Sequence, residues 1–366
     1  MHRYNDIQWL RALAAIEVVL WHSDLVTKHF SAADIHGSFY HDFGGFGVEL
    51  FFIISGYVIC LTAPRHASGG GFLLARVARL IPLYWCFTAL VFLAAFVNPG
   101  WSQGSLDFRP EVIAKSLAFV PQQGVPVMAL GWSLEHEMLF YGLAALWLAC
   151  GGAGWKRGTW AMPVLLLGLG TLGFFLGTGL AARVWDMHVA SPYMLAFGFG
   201  WLFRLAEVAT GWRKPALLAV PPAVVGLLAA MPIVPEEGPL RLHLAIAVAL
   251  FLGAWSLRRL LERPGPTNTL MGRLGDASYS IYLSHWFVLS IVGKLLGPLD
   301  PADAFDALLR LLATLLCLGI GLLIFTHLEA PIDRALKRRI AHRRTRRASH
   351  QVPWPAARLA LGASAG

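Results

Sequence analysis

The 366-residue chain has few charged residues and very few cysteines. Charged side chains make up 14% of it and hydrophobic ones 57%, and its mean hydropathy is +0.59. This balance excludes an ordinary soluble domain and is typical of a protein that lies in a membrane. The 4 cysteines fall in apolar segments without the spacing of metal ligands, so we predict neither a disulfide nor a zinc site.

Apolar segments long enough to cross a bilayer follow one another along almost the whole chain. A hydrocarbon core takes roughly 20 helical residues, so the sequence predicts an all-α, polytopic membrane bundle of about ten transmembrane helices. Glycine and proline within these segments are tolerated where neighbouring helices satisfy the freed backbone groups. The predicted spans are 7–27, 46–62, 81–98, 131–150, 162–180, 192–207, 216–231, 243–261, 279–297 and 309–329.

Basic residues predict the orientation of this bundle. With the N-terminus inside, most of the 30 lysines and arginines fall in inner segments, in line with their bias toward cytoplasmic loops. We therefore predict a multi-pass protein of the bacterial inner membrane with both termini in the cytoplasm. Residues 1–334 would form the membrane domain, and residues 335–366 a basic, partly disordered tail that meets anionic lipid rather than nucleic acid.

Two ionisable residues lie within the first predicted span. Arg11 and His22 share one helical face, about three turns apart, with His22 toward the outside. Ionisable groups in lipid are costly, usually face the bundle interior and often mark a functional site. A helix-end arginine that reaches the interface and a hydrogen-bonded core histidine are the simpler interpretations of the same residues.

Glu49 and Glu137 are predicted at the depth of His22, because both of their spans begin at the outer side. A carboxylate beside His22 would fix the tautomer of the imidazole and raise its basicity, as a general base needs. The sequence does not decide which carboxylate does so, and either one can instead tie helices together. Ser133 and Tyr141 stand four residues before and after Glu137, so these three side chains line one face.

Arg76 and Arg79 stand one helical turn apart on the inner side, just before the third predicted span and after a run of glycines. Two cations on one face beside a flexible loop are suited to binding phosphates. Anchoring at the inner membrane surface explains the same two residues more simply.

The ninth predicted span carries Tyr282 and His285, which share a face because they are three residues apart. A belt of aromatic residues at the membrane interface explains the tyrosine but not a histidine followed by an apolar run. The last span is expected to end near Glu329 and Pro331.

In this order, the segments resemble the acyltransferase-3 family of membrane enzymes, which move acyl groups from acyl-CoA onto carbohydrates and other acceptors outside the cytoplasm. The resemblance runs from Ile7 to about Arg334, with a mild departure at Tyr57, where the family commonly has phenylalanine. Five motifs carry the resemblance. They are Arg11 with His22; GFGVELFFIISGYVI with Glu49, Ser55 and Gly56; Arg76-Val-Ala-Arg79-Leu-Ile-Pro82; Trp132-Ser133-Leu134 with Glu137, Phe140 and Tyr141; and Ser278-Tyr279-Ser280 with Tyr282, Leu283 and His285.

The resemblance implies a membrane-embedded O-acyltransferase, in the commonest case an O-acetyltransferase, with no permanently bound cofactor and no metal. Acyl-CoA would be the donor, and a polysaccharide or a lipid-linked oligosaccharide the acceptor. It does not decide whether the acyl group is acetyl or succinyl, or whether transfer is direct or passes through an acyl-histidine intermediate. It also leaves the acceptor hydroxyl and the oligomeric state open. The implied roles are catalysis by His22 with Glu49 or Glu137, acyl-CoA binding by Arg11, Arg76 and Arg79, and substrate or oxyanion support by Ser133, Tyr141, Tyr282 and His285.

A proton-coupled transporter is the alternative function, with His22, Glu49 and His285 as a proton relay. It leaves the ordered set of motifs unexplained. A non-catalytic membrane scaffold explains still less, because it has no use for ionisable groups inside its spans. Transfer of label from acetyl-CoA to a glycan distinguishes an enzyme from both.

Overall fold

Helices form every regular element in the part of the chain that the structure describes. The structure, a computed structural model, describes residues 5–27, 45–98, 109–122, 124–151, 158–176, 188–210, 238–299, 301 and 303–338. The α-helices are α1 (Asn5–Trp21), α2 (Asp24–Thr27), α3 (Gly47–Thr62), α4 (Gly69–Val97), α5 (Pro110–Ala118), α6 (Gly131–Ala149), α7 (Ala161–Leu176), α8 (Met194–Thr210), α9 (Gly238–Ser256), α10 (Arg258–Leu261), α11 (Pro266–Asp276), α12 (Ser278–Leu296) and α13 (Asp306–Ile324).

The predicted all-α class is confirmed, and the predicted spans that the structure describes are helical, although the span 7–27 is divided between α1 and α2 and the span 243–261 between α9 and α10. The predicted span 216–231 and most of the predicted tail lie outside the described residues. The predicted number of about ten spans and the location of the termini are not confirmed. By length and composition, the described helices that can cross a membrane are four, Gly47–Arg65, Gly69–Val97, Ser278–Leu299 and Asp306–Arg338, with shorter apolar helices at Ala161–Gly173 and Leu240–Ser256.

The first helix shows why the predicted number of membrane spans is larger than the number of described helices that meet the length and composition of a span. α1 has 17 residues and includes Asp6, Arg11 and Glu17, so it is short and polar when considered alone. A helix of this kind is stable in a bilayer only where neighbouring helices surround its ionisable groups. Asp6 and Glu17 are both buried within the protein, so the packing supplies those surroundings.

The third predicted span begins earlier than the sequence indicated. α4 starts at Gly69, where Ser68 Oγ accepts the backbone N–H of Gly71 at 3.1 Å and caps the helix. The glycine run that we predicted as a flexible loop is therefore the first turn of α4. Arg76 and Arg79 project from a continuous helix as a result, and their spacing is fixed by its backbone.

The last helix does not end near Pro331 as predicted. α13 passes into one π-helical turn, Phe325–Glu329, and the chain stays helical to residue 338. A proline lacks the backbone N–H and crowds the preceding turn, and a π turn just before it relieves the crowding. Glu329 is buried there and accepts a 2.5 Å hydrogen bond from Ser280 Oγ, which ties α13 to α12.

Glycines allow α3 and α8 to cross with their backbones in contact. A Cβ atom on Gly56 of α3 would overlap the carbonyl oxygen of Phe197, and one on Gly200 of α8 would overlap that of Ile53. Helices in lipid associate mainly through such close packing, because the hydrophobic effect supplies little driving force there. Gly56, the glycine of the FIISGYVI segment, is therefore required for the close packing of α3 against α8.

Replacing Gly56 with alanine should lower the free energy of unfolding by about 1–3 kcal/mol, the usual cost of overpacking a core. The added methyl group meets backbone and not a flexible side chain, so α3 and α8 must move apart. Thermal unfolding of the protein in detergent measures the effect. Gly319→Ala is the matched control, because a Cβ there has no atom within 4 Å. Equal melting temperatures of the two variants would contradict this account of Gly56.

α1 lies against α3, α11 and α12, and this packing positions the polar residues of the bundle. Near the N-terminal end of α1, Arg11 reaches Ser278 at the beginning of α12. Beyond the other end of α1, His22 reaches His285 on α12. Two polar regions follow along the same pair of helices, one around Arg11 and one around His22.

Candidate active site

A cavity of about 140 Å³ lies among α1, α3, α4, α6 and α12. Seven of the ten residues that the sequence predicted for the site line it. The other three, His22, Glu49 and His285, are not part of its lining. The polar residues that line it are Arg11, Ser55, Arg76, Arg79, Ser133, Glu137, Tyr141, Ser278, Tyr279 and Tyr282.

Arginines dominate one end of the cavity. Nε and Nη2 of Arg11 donate to Ser278 Oγ at 3.2 and 2.9 Å. Nη2 of Arg76 donates to Thr62 Oγ1 at 3.0 Å. Because a hydroxyl orients a guanidinium without neutralising its charge, these bonds leave the arginines cationic. Three arginines against one glutamate along the lining make the cavity attractive to an anionic group such as a phosphate.

Aromatic rings hold Arg76 in position. Its guanidinium carbon lies 5.5 Å from the centroid of the Phe72 ring and 5.9 Å from that of Tyr141. Contacts of this kind are attractive because the face of an aromatic ring is electron-rich. Arg76 is therefore a preformed donor at the cavity wall, whereas Arg79 is exposed at the mouth.

Glu137 lies in the arginine cavity and does not reach His22. Its Oε1 accepts a hydrogen bond from Tyr141 OH, and Ser55 Oγ donates to the same oxygen at 3.2 Å. The predicted alignment of Glu137 with Tyr141 is thus seen directly. Its predicted contact with His22 is not, because the face of α6 that carries Glu137 turns toward α3 and α4.

The other candidate carboxylate, Glu49, is placed beside a different histidine. Glu49 is buried, and its Oε1 lies 3.8 Å from Nδ1 of His243 on α9. The neighbouring Glu17 accepts the backbone N–H groups of Gly45 and Gly47 and so caps the beginning of α3. The expected pairing of His22 with Glu49 or Glu137 is therefore absent among the described residues.

His22 pairs with a second imidazole, that of His285. Nδ1 of His22 lies 2.8 Å from the carbonyl oxygen of Val18 and 3.3 Å from Nε2 of His285. Nδ1 of His285 lies 2.6 Å from the carbonyl oxygen of Tyr282. The Trp286 ring packs 5.0 Å from the His22 ring, centroid to centroid. Asp24 is the acidic residue nearest to His22 along the chain, two residues beyond it.

Tyr282 lines the cavity and also contacts one member of this histidine pair. Its hydroxyl lies 2.6 Å from Ser133 Oγ and 3.2 Å from the carbonyl oxygen of Leu130. Its ring centroid lies 5.9 Å from that of His285 and 6.2 Å from that of Phe51. Tyr282 and Ser133 therefore lie about two helical turns of α6 from the contact of Arg76 with Tyr141, and the Tyr282 ring contacts His285.

Sequence reasoning missed several residues that position this site. Ser278, which holds Arg11, stands first in a segment that we singled out without assigning it a role. Thr62, which holds Arg76, carries no local signal at the end of α3. Glu135, two residues before Glu137 on α6, is buried and lies 2.9 Å from Nε2 of His188 and 3.3 Å from Nε2 of Gln122.

Comparison with known proteins decides the family. A family model described as an acyltransferase domain, that of the acyltransferase-3 family, matches residues 4–327. The chain belongs to the acyltransferase-3 family. It is therefore a membrane acyltransferase, and its relatives support an O-acyltransferase activity. No solved structure matches the chain significantly.

The relatives of this acyltransferase include, by name, an exopolysaccharide production protein, a further acyltransferase and a peptidoglycan O-acetyltransferase. It is 32% identical to the exopolysaccharide production protein ExoZ of Rhizobium meliloti, over 83% of this chain and 94% of the relative. It is 24% identical to the acyltransferase MdmB of Streptomyces mycarofaciens, over 92% and 93%. It is 25% identical to the peptidoglycan O-acetyltransferase OatA of Listeria monocytogenes, over 90% of this chain and 56% of the relative.

Metal ligation has no support in the described part of the acyltransferase. No group of three or more histidine, cysteine, aspartate or glutamate side chains there is arranged to hold a metal ion. The buried imidazoles contact one another, backbone carbonyls and carboxylates instead. The groups that can support chemistry at this site are its arginines, hydroxyls and histidines.

Proposed function

We propose that this enzyme transfers an acyl group, in the first instance acetyl, from acyl-CoA to a hydroxyl group of a carbohydrate. One observation carries the proposal. A cavity lined by three arginines is also lined by Tyr282 and Ser133, and the Tyr282 ring contacts His285, whose imidazole lies 3.3 Å from that of His22. An anion-binding site and a candidate base thus lie along one path through the bundle.

The arginine end is suited to the phosphates of CoA. Arg76 and Arg79 would bind them from α4, and Arg11 from α1, through charge-assisted hydrogen bonds. The pantetheine arm would then extend along the apolar wall that Phe51, Ile54 and Val58 of α3 provide. The thioester would reach Tyr282 and Ser133, and entry to His22 requires the Tyr282 side chain to turn aside.

His22 is the base in this proposal. Its Nε2 removes the proton of the acceptor hydroxyl, and the resulting alkoxide attacks the thioester carbonyl carbon. The tetrahedral oxyanion accepts hydrogen bonds from Ser133 Oγ or Tyr282 OH. When the intermediate collapses, the carbon–sulfur bond breaks and the CoA thiolate takes the proton from the His22 imidazolium. The products are the ester, free CoA and neutral His22.

The acceptor class rests on the relatives, whose names include exopolysaccharide production and peptidoglycan O-acetylation. We propose a polysaccharide, or its lipid-linked oligosaccharide precursor, on the outer side of the bacterial inner membrane. Both termini would then lie in the cytoplasm, and acyl-CoA would enter from that side. The transporter alternative gains no support, because its relay needs Glu49 beside His22, and Glu49 lies beside His243.

Labelled acetyl-CoA tests the proposal. Membranes that contain the protein should transfer the label to an envelope or secreted glycan as an alkali-labile ester, and membranes without the protein should not. Parallel incubation with labelled succinyl-CoA identifies the preferred acyl group. A folded protein that transfers no label from either thioester, and whose loss leaves the ester content of the glycans unchanged, would refute the proposed function.

A further inference from the structure

We propose that His285 is the residue that orients His22, in the place where a carboxylate was expected. The inference rests on the proposed function, because that function makes His22 the base. It concerns His285 as a positioning residue: its side chain acts through His22 and not on the substrate.

The backbone carbonyls determine which nitrogen of each ring carries the proton. A carbonyl oxygen only accepts, so Nδ1 of His22, 2.8 Å from Val18 O, bears a hydrogen. Nδ1 of His285, 2.6 Å from Tyr282 O, bears a hydrogen for the same reason. Nε2 of neutral His285 is then a bare acceptor, and it lies 3.3 Å from Nδ1 of His22. The contact is a hydrogen bond from His22 to His285, shared with Val18 O.

This arrangement leaves Nε2 of His22 unprotonated and available to the acceptor hydroxyl. When Nε2 takes the proton, the ring becomes an imidazolium whose Nδ1–H is held by the lone pair of His285. The hydrogen bond then has a charged donor and becomes stronger, which stabilises the charged intermediate more than the resting enzyme. His285 is fully buried and anchored by its own backbone bond, so it keeps this position.

Two amide replacements separate the proposed role from a merely structural one. In His285→Gln the amide oxygen can occupy the place of Nε2 and still accept from His22. In His285→Asn the amide can keep the bond to Tyr282 O but does not reach His22. We expect His285→Asn to lower kcat about 10- to 100-fold with little change in the KM for acyl-CoA. His285→Gln should recover most of that loss.

A packing role predicts the opposite order, because asparagine keeps the structural bond and glutamine loses it. Rates are compared per amount of folded protein, taken from the monodisperse fraction in detergent. Ser284→Ala, on the same buried turn of α12, is the control and should leave kcat unchanged. Equal activity of the asparagine and glutamine variants, or better activity of asparagine, would overturn the proposal.

Asp24 is the competing orienting group, because it is the acidic residue nearest to His22 along the chain. Asp24→Asn should change kcat only a few-fold, and a loss as large as that of His285→Asn would assign the role to Asp24. Failure of the proposed function is recognised separately. In that case the wild-type protein itself transfers no acyl group, whereas failure of the present inference leaves the wild type active.

Discussion

Replacing His22 with alanine is expected to abolish acyl transfer in membranes while the amount of folded protein stays the same. Removal of a general base typically costs about 10²–10⁴-fold in rate. The loss should appear in kcat, since His22 lies outside the cavity that would hold the donor. The KM for acyl-CoA should remain close to the wild-type value. Initial rates over a range of acyl-CoA concentrations measure both.

His22→Asn is the matched comparison for this variant. An asparagine amide at this position can keep the local hydrogen bond to Val18 O, but it has no basic nitrogen in the place of Nε2. If His22 acts as a base, both variants are equally inactive. If it serves only to hold the end of α1, asparagine restores activity and alanine does not, and the proposed mechanism then fails.

The positions of most helices could be predicted from the sequence. The position of a span follows from the length of an apolar run, which is local information. The beginning of α4 was missed because a glycine run indicates a loop, whereas here the Ser68 cap starts the helix at Gly69. The continuation past Pro331 was missed because it depends on a π turn, which leaves no mark in apolar periodicity.

For the site, the sequence predicted how deep each residue lies in the bundle better than it predicted which neighbouring helix its side chain faces. Counting along a helix places a residue between the two ends of the bundle but does not show which neighbour its face meets. Arg11, Arg76 and Arg79 share one end of a cavity as expected. The partner of His22 was assigned wrongly because Glu49 faces α9 and Glu137 faces α3 and α4.

Replacing Arg76 and Arg79 together with glutamine is expected to raise the KM for acetyl-CoA about 100-fold or more. Each lost hydrogen bond between a cation and a phosphate is worth about 1.5–3 kcal/mol, and two such losses exceed a factor of 100. The KM for the glycan acceptor should change little, because Arg76 contacts Tyr141, about two helical turns of α6 from Ser133 and its partner Tyr282. Initial rates with each substrate varied in turn give both values.

Loss of positive charge at the membrane surface is a different explanation, and a matched double variant tests it. Arg259 and Arg263 are exposed and lie outside the cavity lining. Arg259→Gln with Arg263→Gln removes the same charge, and it should leave the KM for acetyl-CoA unchanged. An equal rise in both double variants would reduce Arg76 and Arg79 to contributors to the surface potential.

A truncated donor locates the group that the arginines recognise. S-acetyl-N-acetylcysteamine carries the thioester and the end of the pantetheine arm but none of the phosphates of CoA. If Arg76 and Arg79 bind those phosphates, the double variant uses this donor as well as the wild type does, while its defect with acetyl-CoA persists. The whole defect of the double variant with acetyl-CoA is then due to its lost interaction with the phosphates of CoA. Equal defects with both donors would mean that the arginines act on the thioester end or on the packing of α4.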